Sequence, residues 1–295
     1  MRSISSLKVQ GHRGARALMP ENTIPSFDLA IKAKAHILEL DLQLTLDQEC
    51  VIHHDFFINT DLCTYLDGSS IKTPSLIKDL TLAEIRKIDV GGQVNPQFTK
   101  QLHIPKTPIP TLRELLEWIK DSSHPQAKIV TLNLEIKRDP RSPQWTATPE
   151  VLAEKIINLV HEHGFSDRVY YSSFDPHVLS AFRSKDSKAE LGLIFDENSL
   201  QIASPLDVEK GLDLILQLAS SLKVKVLSPD HVLVGNLINV TLLQEQGFHI
   251  VPWTVNEPTR WKELTSLNVD GIITDDPEGL LHWLKLTEIE AIKSI

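Results

Sequence analysis

Cysteine is nearly missing from this chain, which has only Cys50 and Cys63 in 295 residues. Two thiols cannot staple a fold of this length, and neither makes a metal-ligand cluster with nearby histidines, so both are expected to be unpaired and reduced. Basic residues are also in the minority, with 30 Lys and Arg against 39 Asp and Glu and a net charge of -9. That balance disfavours nucleic acid or an anionic membrane as partner, and any anionic ligand must be met by local cations or a metal. No run of about 18 apolar residues could span a bilayer, and the segment 1–9 lacks the uninterrupted apolar core of a secretory leader. The expectation is a soluble, cytoplasmic protein without stable membrane insertion. Internal repeats, low-complexity runs and polar linkers between domains are absent too.

What the chain does have is rhythm. With 41% hydrophobic residues it can bury a large core, as one barrel or two ordinary domains. Apolar or β-branched runs at 9–11, 37–44, 129–136, 169–173, 191–195, 225–227, 249–253 and 271–273 read as strands. Helical patterns lie between them at 26–35, 112–120, 149–163, 176–184, 211–221, 237–246, 258–266 and 277–285. Strict β-then-α alternation over eight units predicts an α/β fold, a closed (β/α)8 TIM barrel. A ninth strand at 51–54 follows the second too closely for a parallel crossover and should return as an antiparallel hairpin. If Asp47-Gln48 is a two-residue turn, His54 lies opposite Asp41; because Gln48 tolerates positive φ poorly, a slip by one would turn His53 to the site instead. Residues 56–110 break the rhythm and read as an insertion within a single domain of 1–295, placed above the carboxyl end of the barrel where substrate-shaping loops collect.

The chemistry-bearing residues crowd into the first third. Gly11-His12-Arg13-Gly14 is followed by Pro20-Glu21-Asn22-Thr23, then Glu39-Leu40-Asp41, then His53-His54-Asp55. Side chains two apart on a strand share a face, so Glu39 and Asp41 point together, as do Asn133, Glu135 and Lys137. Three carboxylates from two strands can converge, and hard oxygen ligands suit Mg²⁺ or Ca²⁺ better than zinc. His12 ends the first strand and His54 the hairpin; imidazoles titrate near neutrality, so one can act as base and the other as acid. The other ten histidines, His53 and His103 among them, lack such company. Two proton-transfer histidines, a phosphate-suited arginine and metal-suited carboxylates are parts for phosphodiester cleavage.

Those segments, in that order and spacing, resemble the glycerophosphodiester phosphodiesterase family, within the phospholipase C-like phosphodiesterases. The likeness continues through 133–137 (NLEIK), 171–175 (YSSFD), 253–256 (WTVN) and 270–275 (DGIITD). The resemblance implies metal-dependent hydrolysis of a small-molecule glycerophosphodiester to glycerol 3-phosphate and an alcohol. It carries the metal ligands onto Glu39, Asp41 and Glu135, and phosphoryl binding onto the metal, Arg13 and Lys137. One histidine would deprotonate water or the neighbouring glycerol hydroxyl while the other protonates the departing alkoxide, with His12 assigned as base and His54 as acid. Headgroup and oligomeric state stay open.

Other residues admit two readings. Glu21 either holds Arg13 by an ion pair or simply favours the start of the first helix. Asn22 or Thr23 reads as a helix cap rather than a ligand-binding group, and Asp275 and Asp276 as strand exit and helix cap. Phe174 and Trp253 are candidates for an apolar wall against substrate, or for core packing. Two alternatives to the soluble-substrate enzyme are a related phospholipase of lysophospholipase D or C type, for which Phe56-Phe57-Ile58 is the short apolar candidate for membrane contact, and a non-catalytic barrel binding protein, which should have lost a ligand or a histidine.

Overall fold

The strand at Ile37–Leu44 carries the pattern on which the fold is built. Leu38, Leu40, Leu42 and Leu44 alternate with Glu39, Asp41 and Gln43, and all seven are buried. The leucines pack outward with the helices while the polar set faces inward, so alternation here separates two buried environments rather than core from water.

The structure, a computed structural model, describes residues 7–293, with side chains described through residue 289. Residues 1–6, part of the segment read as lacking a leader core, lie outside it. In chain order the elements are β1 (Lys8–Gly11), α1 (Ile24–Lys32), β2 (Ile37–Leu44), β3 (Cys50–Ile52), β4 (Thr64–Tyr65), α2 (Leu82–Ile85), β5 (Ile88–Asp89), α3 (Leu112–Asp121), β6 (Thr131–Ile136), α4 (Pro149–Glu162), β7 (Val169–Ser173), α5 (Pro176–Lys185), β8 (Leu191–Phe195), α6 (Glu197–Ala203), α7 (Val208–Ser221), β9 (Val226–Pro229), α8 (Val240–Glu245), β10 (His249–Ile250), α9 (Pro258–Ser266), β11 (Gly271–Thr274) and α10 (Pro277–Lys293). Parallel pairing runs β10-β9-β8-β7-β6-β2-β1-β11. Backbone bonds from Asp270 N–H to Ile250 O (2.9 Å), Ile273 N–H to Pro252 O (3.0 Å) and Val255 N–H to Ile273 O (2.9 Å) join the two end strands and close the expected TIM barrel. Inside it, Tyr170, Val226, Val251 and Ile273 form an apolar layer. Among the described residues no helix is long and apolar enough to cross a membrane.

Several boundaries differ from expectation. β10 stops at Ile250 rather than running to 253, and α6 arises where no helix was foreseen. Asp196 begins α6 with a capping box, its side chain accepting from Ser199 N–H while the Ser199 hydroxyl accepts from Asp196 N–H. Within 56–110, Ile58, Ile77, Ile85, Ile88 and Ile109 form a buried cluster with Val51 of β3.

The hairpin register is the main correction. Leu42 pairs with Ile52 and Leu44 with Cys50, so His53, not His54, stands opposite Asp41 and donates its N–H to the Asp41 carbonyl at 3.0 Å. Gln48 adopts φ 61 after all, because Thr45 closes the loop with bonds from Gln48 N–H to Thr45 O (2.9 Å) and from Thr45 N–H to Glu49 O (3.0 Å). A left-handed non-glycine residue costs roughly 1–2 kcal/mol. Gln48→Gly should therefore stabilise the protein by about 1 kcal/mol, read as a higher urea midpoint at unchanged slope; a lower midpoint would mean the loop is held by the Gln48 side chain.

Candidate active site

The turn after β1 has little freedom in its residues. Gly14 has φ +90, and a Cβ there would lie 2.4 Å from Ser26 Oγ; a Cβ at Gly11 would meet Gly14 O at 2.2 Å. Between them Arg13 takes φ 52, which points its backbone N–H at Glu39 Oε2, 2.7 Å away. Ser26 fastens the turn from α1, donating its hydroxyl to Arg13 O (2.9 Å) and accepting from Ala15 N–H (2.8 Å). The strained backbone thus presents both His12 and Arg13 at the barrel mouth.

Parallel pairing of β2 with β6 sets Asp41 beside Glu135 and Glu39 beside Asn133. One ligand oxygen from each of Glu39, Asp41 and Glu135 lies within 4.8 Å of the others, although Glu39 and Asp41 are only 2% and 1% exposed. Two cations hold the group: Lys137 Nζ is 2.6 Å from Glu135 Oε1 and 3.4 Å from Asp41 Oδ1, and Arg13 Nε is 3.3 Å from Asp41 Oδ2. The charges divide unevenly. Burial, with Asp41 and Glu135 close by, pushes the Glu39 carboxyl well above its usual range. Burial acts the same way on Asp41, but Arg13, His54 and Lys137 outweigh it and keep that carboxylate ionised. Lys137 is raised by Glu135 and Asp41 against its own burial. Glu39 Oε1 and Asp41 Oδ1 are buried with no hydrogen bond. Buried carboxylate oxygens without hydrogen bonds, one of them with only Lys137 at 3.4 Å, fit a hard divalent cation such as Mg²⁺ or Ca²⁺.

Both histidines reach one pocket of about 200 Å³ that Arg13, Glu39, Glu135 and Lys137 also line. His12 Nδ1 bonds Asp275 Oδ1 at 2.6 Å, leaving Nε2 4.0 Å from Glu39. Burial and Arg13 lower its pKa despite Asp275, so the ring is neutral near pH 7. His54 Nδ1 bonds Asp55 Oδ1 at 2.7 Å. The strand ends at Ile52, so strand alternation no longer governs which way 53 and 54 point; His54 faces the pocket despite the shifted register, and His53 Nε2 is buried without a partner. Gln43 holds this stretch, donating from Nε2 to the carbonyls of His53 (2.9 Å) and Asp55 (2.8 Å).

Several sequence readings change here. Asp275 is no mere strand exit: besides His12 it accepts from Asn256 Nδ2 at 2.7 Å, and it stands beside His12 because β1 pairs in register with β11. Asp276 is the helix cap, accepting from Gly279 N–H at 2.8 Å. Thr23 caps α1, whereas Asn22, at φ 57, donates to Asp41 Oδ2 at 2.8 Å. Glu21 takes the ion-pair role, 2.7 Å from Arg13 Nη1 and 2.5 Å from Arg16 Nε. Phe174 and Trp253 meet edge to face at 5.4 Å and both line the pocket. The roles of Asp275, Asn256 and Gln43 were missed because their partners are distant in sequence; for the first two the cue was their place in the WTVN and DGIITD segments.

A (β/α)8 barrel with carboxylates and paired imidazoles at its carboxyl mouth defines a barrel hydrolase of phosphoric diesters. The chain belongs to the glycerophosphoryl diester phosphodiesterase family, whose profile matches residues 12–279. It is 30% identical over 279 residues to a glycerophosphodiester phosphodiesterase of Caldanaerobacter subterraneus subsp. tengcongensis, covering 94% of this chain and 97% of that one. The fold superposes with a TM-score of 0.84 and 25% identity on a Silicibacter pomeroyi structure provisionally named a glycerophosphoryl diester phosphodiesterase, over 95% of this chain and 94% of that one. An Oleispira antarctica phosphodiesterase in complex with sn-glycerol-3-phosphate shares the fold at TM-score 0.72 and 21% identity, over 96% of this chain and 100% of that one.

Asp275 should act through His12. Asp275→Asn is expected to lower kcat for phosphodiester hydrolysis about 10- to 100-fold at unchanged circular dichroism; a near-normal kcat would remove Asp275 from any positioning role.

Proposed function

We propose that the protein hydrolyses water-soluble glycerophosphodiesters to glycerol 3-phosphate and an alcohol, with Glu39, Asp41 and Glu135 holding a divalent Mg²⁺ or Ca²⁺ ion. The observation that carries this reading is that two imidazoles line one pocket of about 200 Å³, each with a carboxylate on its Nδ1. The product complex of the Oleispira phosphodiesterase supports the same substrate class. The chain is taken as one catalytic unit over 1–295 with 56–110 inserted in it. Its free, buried Cys50 and Cys63 accord with work in the cytoplasm.

A divalent cation held by the three carboxylates supplies Lewis-acid polarisation of a phosphoryl oxygen. Arg13 and Lys137, fixed by Glu21 and Glu135, present positive charge to the phosphoryl oxygens as negative charge builds on them. His12, neutral and held through Nδ1 by Asp275, accepts at Nε2 the proton of the nucleophile, either water or the neighbouring glycerol hydroxyl, whose cyclic phosphate a water must then open to give glycerol 3-phosphate. His54, held through Nδ1 by Asp55, donates to the departing alkoxide. Phe174 and Trp253 wall the pocket against the glycerol or the leaving group.

His12→Ala and His54→Ala should each cost about 10²–10⁴ in kcat on glycerophosphocholine. A diester with a p-nitrophenol leaving group needs little protonation, so it should restore most of the rate of His54→Ala and little of His12→Ala. Equal restoration of both variants would sink the role assignment, and undiminished rates in His12→Ala would sink the two-histidine scheme.

A further inference from the structure

The small pocket holds a third cation to which the catalytic scheme gives no task. Arg16 lines it beside His12 and Arg13, with its side chain 16% exposed. Arg16 Nε lies 2.5 Å from Glu21 Oε2, on the carboxylate that also holds Arg13 Nη1 at 2.7 Å. Its Nη1 stands 3.9 Å from Asp275 Oδ1, the oxygen to which His12 Nδ1 is bonded. Among the described residues neither terminal nitrogen of Arg16 has a hydrogen-bond partner, and neither is among the buried unpartnered atoms, so four N–H donors stay accessible. The guanidinium is nonetheless held in place. Its Cζ lies over the Phe98 ring of the inserted segment, 4.8 Å from the centroid, and Gln101 donates from Nε2 to the Arg16 carbonyl at 2.7 Å. Ala17 N–H bonds Asp275 O at 3.0 Å, tying the same turn to the end of β11.

Position decides what Arg16 can meet. Arg13 and Lys137 reach Asp41 of the carboxylate cluster, at 3.3 and 3.4 Å, so they stand where the phosphoryl oxygens belong. Among the described carboxylates Arg16 pairs with Glu21 and Asp275 alone, at the Nδ1 end of the His12 ring, whereas Nε2 is the nitrogen near Glu39. Arg16 is therefore outside the pair of cations that touch the cluster. The departing side of the substrate runs the other way. A neighbouring cavity of about 990 Å³, walled in part by Phe56 and Phe57, shares His54, Lys137 and Phe174 with the small pocket but neither His12 nor Arg16. What extends past His12 is the glycerol that stays on the phosphate. Charge narrows the choice further: the two arginines face Glu21, Asp275 and Asp41, so the cations are balanced while the Arg16 donors are unfilled, which suits a neutral oxygen rather than a second anion.

Resting on the function proposed above, we propose that Arg16 is a specificity residue: its terminal N–H groups hold the glycerol hydroxyl farthest from phosphorus, so that a free terminal hydroxyl is part of what the enzyme selects. Losing a hydrogen bond to a charged donor lowers kcat/KM by about 10- to 100-fold.

The test compares choline release from glycerophosphocholine and from 2-hydroxypropyl phosphocholine, which keeps the hydroxyl next to the phosphorylated carbon and lacks only the terminal one. Wild-type kcat/KM should favour glycerophosphocholine about 10- to 100-fold. Arg16→Met should cut that ratio by about fivefold or more, losing glycerophosphocholine turnover faster than turnover of the analogue. Phe98→Leu, which removes the ring against the guanidinium, should cut it about two- to fourfold with Arg16 intact. Equal kcat/KM of the wild type on both substrates overturns this inference alone. Equal losses on both substrates in Arg16→Met overturn it as well, because Arg16 then acts only through Glu21 and Asp275. If Arg16→Met does not fold, Phe98→Leu decides, and a ratio at the wild-type value sinks the proposal. No choline release from either substrate by the wild type removes the function proposed above, and this inference with it.

Discussion

Three carboxylates buried at one end of a barrel repel one another, and most of the surrounding structure answers that repulsion. Glu39 and Asp41 share a strand face, and parallel pairing adds Glu135 beside Asp41. Arg13 and Lys137 offset part of the charge, Asn22 and the Arg13 amide take up two of the oxygens, and burial drives Glu39 toward its protonated form. Glu39 Oε1 and Asp41 Oδ1 remain buried without a hydrogen bond, the latter with Lys137 Nζ at 3.4 Å. Isolated buried charge is among the costliest features a protein can carry, which is why a cluster like this one implies a cation as its partner.

The same economy of position governs the histidines. Each sits at the end of an element and depends on a carboxylate remote from the acid cluster: Asp275 through the β1–β11 register, Asp55 through its neighbour in the chain. Gln43 lies on the inward face of β2 in line with Glu39 and Asp41, yet it reaches past them to tie down the backbone around His54. One strand therefore supplies metal-suited oxygens and the side chain that holds the backbone on either side of His54.

Much of this was legible in the sequence, for identifiable reasons. Strand spacing put Glu39 with Asp41 and Glu135 with Lys137 on common faces, and the pairing of β2 with β6 brings the two sets together. Alternation of eight βα units gave the barrel. Legibility failed where a single residue's conformation mattered. Gln48 accepts positive φ because Thr45 closes the loop around it, and that shifts the hairpin by one; His54 still faces the site since pairing has already ended. It failed again where contacts cross the barrel, as with Asp275 and Asn256, whose partners are set by closure between first and last strands. α6 hid in a polar stretch whose signal was a capping box rather than apolar periodicity.

The central claim is that the carboxylate cluster is completed by a divalent cation. It is tested most directly by thermal unfolding of chelator-stripped protein titrated with Mg²⁺ or Ca²⁺. Binding to the folded state alone adds RT ln(1 + [L]/Kd), so the account predicts a midpoint that climbs steadily with metal concentration, a climb that Glu135→Ala abolishes. An unfolding midpoint indifferent to both ions at millimolar concentration would contradict it.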